Sequence, residues 1–382
     1  MTYDVVLFGA TGFTGALTAA YLAEHAPPSL RWAVAGRNKA KLEALRARLG
    51  REVDLLHADA SEPAALADIA SSTRLVVSTV GPYVTYGDPL VLACAEAGTD
   101  YADLTGEPEF VNTTYVRYHD RAVASGARLV HACGFESIPY DLGVQYTVEQ
   151  LPDDVPLRIA GLVRAGGTPS GGTIHSALTA FSRGRQNLQA ARDRRRAEPR
   201  PRDRSARAGT DRIRRLEGFW AVPLPTIDPQ IVARSARALP SYGPDFVYTH
   251  YMAVKRLPVA VGGVAGVGAL VAAAQVPPLR NALLRRLEPG DGPSPSRRET
   301  SWFTVRFVGT GGGRRVVTEV SGGDPGYGET AKMLGESALC LALDDLPQVA
   351  GQTTTAVAMG NKLRDRLVAA GIGFRVLSDE AY

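Results

Sequence analysis

Apolar and polar positions follow two alternating rhythms over the first 140 residues. Short continuous apolar runs at 5–8, 32–35 and 75–77 have the look of strands buried on both faces. Between them apolar residues recur at helical spacing, as at Leu17, Tyr21 and Leu22. The pattern predicts strand 5–9, helix 14–25, strand 32–35, helix 39–49, strand 53–57, a short helix 62–70 and strand 75–79. A long loop follows, then helix 89–97, a short strand near 100–103, helix 109–125 and strand 128–132. Strands regularly alternating with helices predict an α/β fold with a doubly wound parallel sheet.

Beyond residue 140 the rhythm changes. "RIAGLVRAGG", "WFTVRFVGT" and "RRVVTEVSGG" are β-like, and the last two predict a hairpin of an antiparallel sheet. "GETAKMLGESALCLALDDL" returns to helical spacing. The expected organisation is a dinucleotide-binding domain over 1–140, an α+β domain with a mixed or antiparallel sheet over 141–350, and a helical return over 351–382. "LPVAVGGVAGVGALVAAAQVPP", residues 257–278, carries no charge over roughly the length that crosses a bilayer. Its Gly and Ala content disfavours insertion, and Gly262 and Gly266 have the spacing of close helix packing. A buried or interface helix is the first reading, a surface contact with a membrane the second and a true span the third. The basic "LRNALLRRLEP" follows it.

Charge sharpens this picture in one place. The chain of 382 residues has a formal net charge of +4, yet 183–215 alone holds 13 arginines against four acids. That stretch reads as a solvated, partly disordered insertion. A soluble charged loop is the first reading; with no interleaved aromatics for base stacking, acidic proteins or anionic lipid headgroups are at least as fitting partners as nucleic acid. Cys94, Cys133 and Cys340 have neither metal nor redox spacing, and no metal site is expected. The first strand begins almost at Met1, which leaves no room for a signal peptide and predicts a cytoplasmic protein, with contact at the inner membrane face as the extension.

Candidate chemistry starts at "FGATGFTG". Gly9, Gly12 and Gly15 lie between a buried strand and a helix, the context of a pyrophosphate turn. Gly9 suits the tight turn, Gly12 a close approach of phosphate and Gly15 helix–strand packing; Thr11 and Thr14 add hydroxyls. Arg37 ends the second strand where an NAD site places an acid, with Lys39 and Lys41 close behind, so NADP(H) is the expected cofactor. Asp59 sits where an adenine contact is expected. The loop "STVGPYVTYGDP" places Gly81 and Pro82 near the cofactor, with Tyr83 and Tyr86 beside the nicotinamide. "DLTGEPEF" adds Asp103 and Glu107, and "HACGFESIPYDLG" adds Glu136 and Ser137. Tyr83 and Glu107 are the catalytic candidates, each with a competing reading as packing or cap residue; Ser137 reads equally as a helix N-cap. His175 reads as a packed helix residue. "YMAVK", with Tyr251 and Lys255, has the Tyr-x-x-x-Lys spacing of short-chain dehydrogenases but lies far from the parallel sheet.

Taken together, "GATGFTG", "AGR", "VGPYVTYGDPLVLACAEAGTDYADLTGEPEF", "GFESIPYDLG" and "GDPGYGETAKMLGESALCLA" resemble the saccharopine dehydrogenase-like family, and most closely its actinobacterial trans-acting enoyl reductase branch. The resemblance implies an NADP-binding Rossmann domain contacting its cofactor through Gly9, Thr11, Gly12, Phe13, Thr14 and Arg37, and a C-terminal α+β domain whose sheet supports a homodimer. It further implies reduction of a carbon–carbon double bond in an acyl chain of polyketide or lipid synthesis, held on an acyl carrier protein. The broader family name keeps open a dehydrogenase of an amino acid or imine, for which Arg164 and Arg306 are candidate anion contacts. A membrane-associated or regulatory protein that binds NADP(H) without turnover is the remaining alternative.

Overall fold

The computed structural model describes residues 1–166, 182–209, 212–276, 278–280 and 298–381. Two sheets carry it. In the first, β1 (Tyr3–Phe8), β2 (Trp32–Gly36), β3 (Asp54–His57), β4 (Thr73–Ser78), β5 (Asp100–Asp103) and β6 (Arg128–Val130) pair in the order β3-β2-β1-β4-β5-β6, all parallel. This is the doubly wound order expected of a dinucleotide-binding sheet. Its helices are α1 (Phe13–His25), α2 (Lys39–Leu49), α3 (Pro63–Ser72), α4 (Tyr83–Tyr86), α5 (Asp88–Ala97), α6 (Pro108–Ser125) and α7 (Ile138–Val148). Val5, Val6 and Leu7 of β1 and Ala33 and Val34 of β2 are fully buried, which is why these strands read as unbroken apolar runs.

The second sheet is mixed. It orders β15 (Gly373–Ala381), β13 (Arg314–Gly322), β12 (Trp302–Gly311), β7 (Leu157–Gly166), β11 (Asp245–Val254), β10 (Phe219–Pro223) and β9 (Arg214–Leu216) side by side, with β8 (Ser205–Ala208) pairing β11. The hairpin expected from "WFTVRFVGT" and "RRVVTEVSGG" is β12 on β13, in antiparallel register from Phe303 opposite Gly322 to Gly311 opposite Arg314.

The remaining helices are α8 (Gly184–Ala197), α9 (Asp228–Ala238), α10 (Leu257–Ala274), α11 (Gly328–Leu343), α12 (Thr355–Ala358) and α13 (Gly360–Ala369). One apolar core joins the two sheets, running from Val5 and Val77 through Ile138 and Leu142 to Phe303 and Val305. Late chain segments complete the early sheet. β14 (Gly351–Thr353) adds a parallel strand beyond β6, and α11 lies against α1, where any side chain at Gly335 would collide with the Tyr21 ring. The Tyr21 hydroxyl donates to Glu336 at 2.6 Å.

Two expectations are corrected here. The Arg-rich stretch is not a solvated insertion: α8 packs on α6, with Arg194 buried over the Tyr115 ring at 4.0 Å and Arg183 paired to Glu109 at 2.6 Å. These two arginines find partners on α6, while Arg185, Arg192, Arg195, Arg196 and Arg200 remain exposed, a division that composition cannot register. The apolar stretch is not a buried helix either. Of α10 only Ala260 and Ala274 are buried, and Val259, Val261, Val264 and Val267 stand exposed.

Candidate active site

β1 and β4 are neighbours in the sheet, and their following loops meet at its carboxyl end, the switch point where such folds bind ligands. Gly9 takes φ +87°, a region that disfavours any Cβ, and a Cβ there would come within 2.6 Å of Val80 and 2.9 Å of Thr79. The two loops are tied by Thr79, whose hydroxyl lies 3.2 Å from the Phe8 carbonyl and 3.1 Å from that of Gly9. Thr79 was not singled out in the sequence, because its role depends on a strand pairing between distant segments.

Gly12 is the N-cap of α1 and is exposed, and no side chain caps the helix. The first turn therefore presents backbone N–H groups of Phe13 and Thr14 at the positive end of the helix dipole. Gly15 packs against the Gly9 carbonyl so closely that no side chain fits. Thr11 lies against Gly36 at the end of β2. The Arg37 side chain is exposed next to that turn, while its carbonyl lies 3.0 Å from His57 Nε2. Asp59 accepts from the backbone N–H and hydroxyl of Ser61 at 2.9 and 2.7 Å; these bonds and the Arg37 charge hold its carboxyl below the usual range. Uncapped amides, room for a close approach and an exposed guanidinium fit a dinucleotide with a 2′-phosphate. Replacing Arg37 with alanine is expected to weaken NADPH binding by about 10–100-fold, the worth of one charge-assisted contact, and to leave NADH affinity within about twofold. Titration of nicotinamide fluorescence reads both, and equal losses for the two cofactors would refute the assignment.

The next loop is built on Glu107. Its carboxylate accepts the backbone N–H groups of Tyr83 at 3.1 Å and Val84 at 2.8 Å, and so caps α4 from across the site. The Gly81–Pro82 peptide just before it is cis. The Tyr83 hydroxyl donates to the Ser78 carbonyl at 3.0 Å and accepts from Leu104 N–H at 3.2 Å. Burial pushes this phenol far above its ordinary value. Asp103, at the end of β5, accepts from Thr105 and Ala132 N–H groups and lies 2.7 Å from His131 Nδ1.

Glu136 differs from these. It follows β6, its carboxyl folds back over Gly134, and its Oε2 is buried with no hydrogen-bond partner. Burial, reinforced by the Asp103 charge, pushes it up to about 7. Ser137 stands at the N-cap of α7 but makes no capping bond, and its Oγ is likewise buried without a partner. Behind them, Asp228 is raised to about 8 by burial, and its Oδ1 has no partner. His250, 3.9 Å from Asp228 Oδ2, is lowered to about 3 by burial and is neutral. The Tyr140 ring meets His250 edge-on at 4.8 Å. Neither Asp228 nor His250 carried a sequence signal, since β11 and α9 bring them together only in the fold.

Other candidates fall elsewhere. Tyr251 is buried in the strand β11 while Lys255 is exposed beyond it, so "YMAVK" does not form a helical pair. Arg306 and Arg375 are spent on the buried Glu319, and Arg164 stacks between Phe219 and Trp302. Tyr86 is exposed. His175 lies outside the described residues. Among the described residues no group of His, Cys, Asp or Glu could hold a metal.

Residues 5–130 match the family model described as the saccharopine dehydrogenase NADP binding domain, in agreement with NADP(H) as cofactor. A Mycobacterium tuberculosis protein named as a candidate trans-acting enoyl reductase is 40% identical over 409 residues, covering 98% of this chain and 97% of that one. The trans-acting enoyl reductase of Mycobacterium ulcerans is 37% identical over 406 residues, covering 97% and 96%. Among solved structures, apo saccharopine dehydrogenase (L-Glu forming) from Saccharomyces cerevisiae superposes with a TM-score of 0.57 over all of both chains at 12% identity, a likeness of fold. By identity across nearly its whole length, the chain belongs to the saccharopine dehydrogenase-like oxidoreductase family, in the branch of the trans-acting enoyl reductases.

Proposed function

We propose that this protein reduces a carbon–carbon double bond conjugated to a thioester, in an acyl intermediate presented by a carrier protein. The named relatives support the reaction class. The observation that carries the chemistry is Glu136, whose Oε2 is buried without a partner and whose pKa, pushed up to about 7 by burial, leaves it able to give a proton near neutral pH. NADPH, when bound, supplies the hydride for the β-carbon. Glu136 then gives its Oε2 proton to the α-carbon, so that hydride and proton together saturate the bond. Gly9, Thr11, Gly12, Phe13, Thr14, Gly15, Gly81 and Pro82 form the proposed cradle, with Arg37 and Asp59 at the adenosine end. Tyr83 and Glu107 act in this reading as positioning residues, because their polar atoms are committed to backbone partners. Residues 1–140 hold the cofactor, and 141–350 wall the acyl chain. The direct test is NADPH oxidation with a 2-enoyl N-acetylcysteamine thioester. Oxidation that begins only with the thioester supports enoyl reduction, whereas turnover with an imine or amino acid alone would overturn it.

The proposal extends to where the substrate is met. An 18-residue apolar helix with nearly every side chain exposed leaves α10 in need of cover. Lys255 and Arg256 precede it and Arg280 follows, a charge pattern that matches anionic lipid headgroups. The occupant proposed is an anionic membrane surface. The full chain is expected to co-sediment with vesicles containing about one-third anionic lipid, and the Val261→Asp/Val264→Asp variant to lose at least about tenfold in partitioning. Equal partitioning of both proteins would sink this reading.

A further inference from the structure

Apart from the cofactor turns, the structure holds a cavity of about 270 Å³ between α6, α8, α9 and the end of β14. Arg194, Arg234 and Arg237 line it, with Glu198 the only carboxylate in its wall among the described residues. Glu198 is already shared: Oε1 accepts from Arg194 Nη2 at 2.8 Å, and Oε2 from Arg237 Nη1 at 3.2 Å. Despite its burial, the three guanidiniums hold this carboxyl below the usual range. Arg194 also donates to the Val111 carbonyl and to Gln352, and Arg237 to the Ala206 carbonyl. Arg234 has much less. Its Nη2 donates to Asn112 Oδ1 at 2.5 Å, while its Nη1 and Asn112 Nδ2 are buried without partners.

The other ionisable neighbours leave this imbalance standing. Burial lowers His119, and its Nδ1 accepts from Gln352 N–H, so the ring is neutral. His131 is engaged by Asp103 on its far side. Burial and the Arg194 charge push Arg234 well below the ordinary guanidinium range. Since arginine does not give up its proton in proteins, an unpartnered guanidinium N–H beside two other guanidiniums favours an anionic acceptor. Val111, Ile231, Ala238 and Val357 supply an apolar wall next to the cations, so the space suits a charged head joined to a short organic stem.

We propose that this cavity binds a phosphate monoester or diester, held by Arg234 and Arg237 with Arg194 behind them. Three guanidiniums against one carboxylate leave an excess of two positive charges, which a phosphate neutralises. The ligand is either a small free phosphate or the phosphodiester of the prosthetic arm on a carrier. The second source rests on the function proposed above, and the first is independent of it. The cavity communicates with the cofactor side through His131, whose ring lines it and whose other edge meets Asp103.

The test is thermal unfolding of the full chain with NADP⁺ saturating, so that the cofactor site cannot take the added phosphate. Inorganic phosphate, pantetheine and 4′-phosphopantetheine are titrated separately. Wild type is expected to gain about 2–5 °C from the phosphate-bearing probes and nothing from pantetheine. A larger gain from phosphopantetheine than from inorganic phosphate assigns the site to an arm, and the reverse order to a free phosphate; either supports the anion site. Arg234→Met is expected to abolish the gain, with Arg237→Met as a second variant should the first fold poorly. The NADP⁺ affinity of both stays unchanged. No gain in wild type, or the same gain in both variants, overturns the proposal. Because the readout is unfolding and not turnover, failure here is distinguishable from failure of the enoyl reductase reading.

Discussion

Replacing Glu136 with glutamine is expected to lower kcat by ~10²–10⁴-fold while NADPH affinity stays within about twofold, because the amide keeps the shape of the side chain and removes only its transferable proton. The pH profile gives a second, independent reading. A proton donor must be protonated, so kcat of the wild type is expected to hold below about pH 7 and to fall tenfold per pH unit above it, the value to which burial has pushed Glu136. A profile flat to pH 9, or a glutamine variant with more than a tenth of wild-type kcat, would remove Glu136 from the reaction. Glu107→Gln serves as the contrast. Its carboxylate anchors the Tyr83 and Val84 amides, so loss there is expected to appear first as reduced stability.

Asp228 gives the largest expected effect on stability. Burial raises its folded pKa to about 8, so the folded state keeps a proton that the unfolded chain releases near pH 4. The stabilisation is complete below the unfolded value and is lost as pH rises towards 8. His250 stays neutral when folded, while in the unfolded chain it is about half protonated at pH 6.5 and neutral by pH 8, so it offsets only about 0.4 kcal/mol of the loss in that window. The wild type is therefore expected to lose about 2 kcal/mol of unfolding free energy from pH 6.5 to 8 through this one group. Asp228→Asn should be several kcal/mol more stable than wild type at pH 8 and keep only the much shallower net slope left by Glu136 and the opposing His250. Urea unfolding at the two pH values measures this. Equal slopes in both proteins would mean that Asp228 ionises normally.

The parallel sheet was readable because β1, β2 and β4 are covered on both faces, and a strand so buried is a continuous apolar word between turns. β14, "GQT", has no such signature; its place beside β6 is set by tertiary pairing. β9, "RRL", is an edge strand with exposed side chains, and a strand of that kind looks like a charged loop. The cofactor turn was legible because Gly9, Gly12 and Gly15 act within one strand–helix junction. Glu107, Glu136 and Asp228 were harder for a shared reason. Their character depends on which distant atoms accept or fail to accept their oxygens: Glu107 on the amides of α4, Asp228 on a histidine from β11. The Arg-rich helix misled in the same way, since Arg194 is buried by Tyr115, Glu198 and Gln352 together.

The way late segments finish the early sheet has a consequence for how the chain is made. As synthesis proceeds, β6 emerges with an open edge and α1 with an uncovered face; their partners β14 and α11 follow only much later in the chain. Tyr21 meets Glu336 across 315 residues, and Arg128 reaches the Leu341 carbonyl across 213. The nucleotide-binding sheet therefore depends for its full closure on segments beyond residue 327. Its last strand and its covering helix come from residues 328–353, beyond most strands of the second sheet, which couples completion of the sheet that carries the cofactor turns to folding of the second one.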